Sequence, residues 1–173
     1  DQAAFLKQCG DTVKSAAFLS MYSVNADING QQKAVYLVGT DTPDMTPFMR
    51  FALDGEVQAY PGDGETIIND NLARILGVKK GDTITLEDGD HDTITLKVTG
   101  IFYNVIYNYA YVNMNTLRSA KGFETGVNAA YVNFADGADP YQAAAKAGSS
   151  DYVMAITISQ QTMDLVGKSL ESM

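Results

Sequence analysis

Apolar and polar positions alternate with period two through two short stretches of the chain. Thr83, Thr85, Thr93 and Thr95 interleave with Ile84, Leu86, Ile94, Leu96 and Val98. Side chains at that spacing point alternately to opposite faces of a strand. The aliphatic set therefore faces a core and the threonines face water. "DTITL" occurs at 82–86 and again at 92–96, and "EDGDHD" between them reads as a hairpin loop. A second hairpin is predicted upstream in "SAAFLSMYSVNADINGQQKAVYLVGTD". Its first arm ends near Ala26, Asn29-Gly30 supplies residues that tolerate positive φ, and its second arm runs from Ala34 to Val38, closed by Gly39. Pro43 and Pro47 interrupt regular structure after it.

The pattern changes period at residue 66. Thr66 to Ile68 reads as a short buried strand. Asn69 or Asp70 can cap a helix whose apolar face is Leu72, Ile75 and Leu76, and Gly77 ends it. "NMNTLRSAKG" is predicted as a short helix and "GVNAAYVNF" as a strand. Asp139 caps a helix with Pro140 at its first position. "DYVMAITI" is predicted as the last strand, with a closing helix from about Ser159. Helices and strands are mixed without strict βαβ alternation, so the fold class is α+β with a mixed sheet.

Both ends carry helical spacing. Phe5, Cys9 and Val13 stand four apart, and Met163, Val166, Leu170 and Met173 are spaced by three and four residues. One reading is a pair of ordinary amphipathic helices packed on the core. The other is a pair of stalk helices that lie side by side and continue beyond the fold.

The run from Val98 to Leu117 breaks the pattern: 20 residues with four tyrosines, four asparagines and no charge. A spanning helix would bury four amide side chains at a prohibitive cost. Thr99, Gly100 and the β-branched and aromatic content favour extended structure, and Asn104 and Asn108 mark a bend that splits the run. Tyrosine suits a surface that is half buried and half wet. Tyr103, Tyr107, Tyr109 and Tyr111 are accordingly the candidate partner or lobe-seam surface. Tyr103, Tyr109 and Tyr111 are expected to be mostly buried and Tyr107 exposed.

Composition narrows the function. The chain of 173 residues has 21 acids against 12 bases, a net charge of −9. That disfavours nucleic acid and anionic lipid headgroups as partners. Cys9 is the single cysteine and His91 the single histidine, which removes an internal disulfide and most triads and metal sites. Asp88, Asp90 and Asp92 have the first spacings of a calcium loop, but Thr93 and Thr99 stand where that loop needs glycine and a carboxylate. The loop therefore reads as a solvated hairpin tip. "GDGE" at 62–65 and Lys79-Lys80 read as turns, and Cys9 as a packed thiol. No nucleotide or nucleophile motif occurs, so no catalytic residue, metal or cofactor is expected.

"ETIINDNLARILGVKKGDTITL" followed by "LKVTGIFYNVIYNYAYVNMNTL" resembles the extracytoplasmic domain of FtsX/MacB-type ABC transporter permeases, in their Gram-positive form. The shared pattern is a strand, a capped helix, a Gly-Asp turn into "xIxL", a "TGI" element, then an Asn- and Tyr-rich segment and a short helix, from Glu65 to Ala120. The resemblance implies a non-catalytic domain between two transmembrane helices, on the extracytoplasmic side of the cell membrane. ATP would be hydrolysed by a separate cytoplasmic ABC ATPase. Export, mechanotransmission or activation of an extracytoplasmic partner would be its role, and protein, peptide or lipid its cargo. Residues 53–103 are expected as a small β-rich inserted lobe, with 1–52 and 104–173 forming a mixed lobe with the terminal helices. A secreted cell-surface module that binds glycan or protein is the alternative.

Overall fold

The computed structural model describes residues 2–42, 44–123, 125–149 and 153–158. These fall into two compact units, Ala17–Tyr131 and Asp1–Ala16 with Val132–Met173.

The larger unit is built on a curled sheet. Its strands are β1 (Val13–Ile28), β2 (Gln31–Thr40), β5 (Glu65–Asn69), β6 (Thr83–Glu87), β7 (Thr93–Phe102) and β8 (Tyr109–Asn113), with β9 (Ala129–Phe134) beyond β1. A separate two-stranded piece is formed by β3 (Ala52–Leu53) and β4 (Glu56–Val57). The pairings run β1–β2–β8–β5–β7–β6 and return to β1, so six strands close a ring. Ten residue pairs join β1 to β2, from Leu19 with Thr40 to Ile28 with Gln31. Asn29 and Gly30, at φ of 53° and 83°, turn that hairpin as the sequence predicts.

Two helices cover the ring. α2 (Asp70–Leu76) ends at Gly77, which adopts a left-handed φ of 67°. α3 (Met114–Ser119) starts at Asn113, whose side chain accepts the Thr116 amide. The alternating strands divide the interior into two cores. Val24, Val35, Leu37, Ile68, Ile84, Leu86, Ile94, Leu96, Val98 and Val112 form an aliphatic one with Leu72 and Leu117. The opposite face carries an aromatic one around Phe51, Phe102 and Tyr111. β7 serves both, because one extra residue enters its register with β5: Thr66 pairs with Val98 but Ile67 with Gly100.

The smaller unit packs α1 (Gln2–Cys9) on α4 (Pro140–Gly148). Asp139 accepts the amides of Tyr141 and Gln142 and Pro140 opens α4, as predicted. Burial raises the Cys9 thiol's pKa, opposed by the charge of Lys146.

Four expectations are corrected. The hairpin β6–β7 lies in the same sheet as β2, so 53–103 is not a lobe of its own. The antiparallel pairing of β5 with β8 and of β6 with β1 ties the two expected lobes together, and long-range pairing of this kind leaves no local pattern. Val13 begins β1 rather than extending α1, because Gly10 turns the chain at φ 54°. β1 runs past Ala26 to Ile28, because the turn takes only two residues. Val153–Ile158 forms no strand. The predicted closing helix from Ser159 lies outside the described residues, as does its packing.

Candidate interaction site

β7 and β8 flank β5, one parallel and the other antiparallel to it. The chain must therefore pass from Phe102 to Tyr109 across the end of β5. Residues 103–108 make that crossing without regular structure. The bend predicted at Asn104 and Asn108 is this loop.

Asn69 closes β5 and has no exposed surface. It stands at the N-cap position of α2 but makes no capping bond there. Its side chain instead serves the loop. Nδ2 donates to the carbonyls of Tyr107 at 3.1 Å and Asn104 at 3.4 Å, and Oδ1 accepts the Tyr109 amide at 2.8 Å. These bonds take both donors and one acceptor site of the amide, which is how a buried polar side chain avoids its desolvation penalty.

The neighbours of Asn69 continue the pattern. Asp70 Oδ1 accepts the Asn104 amide at 3.2 Å, and Asn71 Nδ2 donates to Asn108 Oδ1 at 2.9 Å. Asn104 bonds both backbone groups of Ile106, and Asn108 Nδ2 donates to the Ala34 carbonyl at 3.0 Å. The Tyr36 amide donates to the Asn108 carbonyl at 2.8 Å. Asn104 thus satisfies backbone groups of the irregular segment, and Asn108 ties that segment to β2.

The loop's outward face is apolar. Tyr103, Val105 and Tyr107 are 62%, 60% and 63% exposed. Tyr107 holds a left-handed φ of 59°, a conformation that costs a non-glycine residue about 1–2 kcal/mol. Its ring meets that of Tyr36 edge-on at 5.5 Å. The Tyr103 amide donates to the Ala52 carbonyl at 2.9 Å, which brings the β3–β4 turn and its 66% exposed Val57 alongside.

The four tyrosines separate. Tyr107 is exposed as expected, Tyr109 is half-buried and Tyr111 fully buried. Tyr103 is exposed where burial was expected, because β7 ends at Phe102 and strand alternation stops there. Tyr109 and Tyr111 share a face of β8, with ring centroids 5.8 Å apart. Tyr111 bonds Tyr131 hydroxyl to hydroxyl at 2.7 Å. Burial, with Tyr131, Tyr36 and Tyr107 nearby, pushes the Tyr109 phenol up to about 12. Burial raises Tyr60, Tyr111 and Tyr131 as well. The four phenols stay neutral at physiological pH, and Tyr60, Tyr111 and Tyr131 hydrogen-bond through their hydroxyls at the aromatic core. The run is therefore a link within one sheet and not a seam between lobes.

The acidic hairpin tip is organised as a turn. Asp88 Oδ1 accepts the amides of Asp90 and Asp92, and His91 lies against Glu87, which raises the imidazole's pKa. Among the described residues no three His, Cys, Asp or Glu side chains gather as metal ligands. Asn69, Val105 and Val57 are the site residues that sequence reasoning missed. An asparagine directly after the Ile67-Ile68 pair of a buried strand is the signal that could have found the first.

No protein-family model and no curated protein matches the sequence. Solved structures do match in fold. The extracellular domain of the noncanonical ABC-type transporter YknZ from Gram-positive bacteria aligns at a TM-score of 0.53 and 15% identity, over 84% of this chain and 76% of that one. The periplasmic region of MacB from Actinobacillus actinomycetemcomitans aligns at 0.48 and 10% identity, over 84% and 70%. A domain of a permease protein from Porphyromonas gingivalis gives 0.48 and 14%, over 80% and 63%. Among the described residues no helix is long and apolar enough to cross a membrane. The chain has the α+β fold of the extracellular domain of an ABC-type transporter.

Proposed function

We propose that this chain is the extracytoplasmic domain of an ABC transporter permease, without catalytic residues of its own. It couples ATP hydrolysis by a separate cytoplasmic ATPase to work outside the membrane, whether export, force transmission or partner activation. The likeness to the YknZ extracellular domain over most of both chains carries this reading. The loop 103–108 is its contact surface. Tyr103, Val105 and Tyr107 project from a segment fixed by buried hydrogen bonds, so a partner meets a set shape and little ordering entropy is lost on binding. Tyrosine combines apolar area with a polar tip, the chemistry that recurs at protein contact sites.

The test uses the full-length protein that carries this chain, in intact cells. A cysteine placed at exposed Thr85, in a Cys9→Ala background, should react with a membrane-impermeant maleimide. The protein should co-purify with a nucleotide-binding ATPase. Labelling only after lysis would overturn the extracytoplasmic placement. Labelling without any ATPase, together with retention on cell-wall glycan that is lost in Tyr103→Ala and Tyr107→Ala, would replace this reading by the secreted glycan-binding module.

A further inference from the structure

The six-stranded ring has one joint unlike the others. β1–β2 carries ten residue pairs, β2–β8, β5–β7 and β6–β7 five each, and β5–β8 two. β6 meets β1 at one pair, Asn25 with Glu87. Upstream of that pair the same edge of β1 is bonded to residues 126–128 and not to β6. Asn128 forms both bonds of a strand partner with its amide: the Met21 amide donates to Oδ1 at 2.8 Å, and Nδ2 donates to the Met21 carbonyl at 2.9 Å. The Asn128 amide donates to the Leu19 carbonyl at 3.0 Å, and Ser20 Oγ to the Gly126 carbonyl at 2.8 Å. Phe123, 7% exposed, lies edge-on to Tyr22 at 5.4 Å and joins the aliphatic core there.

We infer that the ring is built to open along this edge of β1, at the single β1–β6 pair and at the bonds that Asn128 makes to β1 beside it. Local opening begins where exposed hydrogen bonds are many and paired backbone is scarce. Among the described residues one pair ladders β1 to β6, two strands that are each well paired on their other side, and Phe123 and Asn128 hold the neighbouring stretch of β1 in place of β6. Opening leaves the β1–β2 and β6–β7 hairpins intact. It uncovers one edge of β1, one edge of β6 and the aliphatic core between them. The loop 103–108 lies on the β5–β7–β8 side of the ring, so this device is independent of the contact surface proposed above.

Native-state hydrogen exchange of the chain in low urea tests it. The Met21 and Glu87 amides should exchange about tenfold faster than those of Ile67 and Ile68, with a weaker urea dependence, the mark of local rather than global opening. Asn128→Ala, at an exposed position, should speed Met21 further and leave Ile67 unchanged. A disulfide between Asn25→Cys and Glu87→Cys, in a Cys9→Ala background, should slow the joint to the rate of Ile67. The inference is overturned if the joint shares the urea dependence of Ile67. It is equally overturned if Asn128→Ala speeds all core amides alike, or if the disulfide leaves the joint unchanged.

Discussion

Asn69 Oδ1 accepts the backbone amide of Tyr109 at 2.8 Å, across 40 residues of sequence. With the bonds to Asn104 and Tyr107, one buried side chain fixes the start, the strained residue and the exit of the loop. Asn69→Ala leaves those loop groups without their partner. We expect a loss of about 2–3 kcal/mol, at roughly 1 kcal/mol per buried bond, measured by urea denaturation. Faster exchange confined to 103–109 should accompany it.

Tyr111→Phe removes the hydroxyl bond to Tyr131 in the aromatic core. The expected cost is about 1 kcal/mol. Tyr103→Phe, at a 62% exposed position, should stay within about 0.5 kcal/mol of the parent. Equal costs at both positions in thermal melts would show that the hydroxyl bond of Tyr111 adds nothing.

Gly39 faces α3 so closely that an added Cβ would stand 2.4 Å from Leu117 Cδ1. Gly39→Ala should destabilise by about 1–3 kcal/mol through overpacking. Combining it with Leu117→Ala should cost less than the sum of the two single changes, a coupling that a double-mutant cycle reads directly.

The Tyr109 phenol is raised from 10.0 to about 12 in the folded state by burial. A folded pKa above the unfolded one means the folded state holds its proton longer. The stabilisation is therefore complete below pH 10 and is lost as pH rises towards 12. Alkaline titration followed by phenolate absorbance should show this delay, and Tyr109→Phe should remove its share of it.

The local grammar of the chain was legible in its sequence. Asn29-Gly30, Gly77 and Asp139-Pro140 each dictate one backbone geometry, and each occurs where predicted. The twin threonine-alternating arms pair with each other, Thr85 opposite Thr95. What failed was of two kinds. The division at 53–103 failed because β5 pairs with β7 on one side and β8 on the other, contacts set by the closure of the ring and not by any segment's own pattern. The expected burial of Tyr103 failed because β7 ends at Phe102, so Tyr103 lies in the irregular loop rather than on a face of the strand. Asn69 was read as a helix cap, the usual role of asparagine at that position. Its side chain serves the loop because the strand it closes ends beneath a crossing chain.

The extra residue at Thr99 in β7 restricts how the length of this chain can drift. Before it, Ile94, Leu96 and Val98 face the aliphatic core, and after it Phe102 faces the aromatic one. Deleting Thr99 would bring Phe102 round among the small aliphatic side chains and turn Ile101 towards the rings. The hairpin tip at 87–92, where exposed acids make a turn, can gain or lose residues without moving either core. Two stretches of the same hairpin thus differ in tolerance: related chains can vary in length at its tip but must keep count where β7 changes faces.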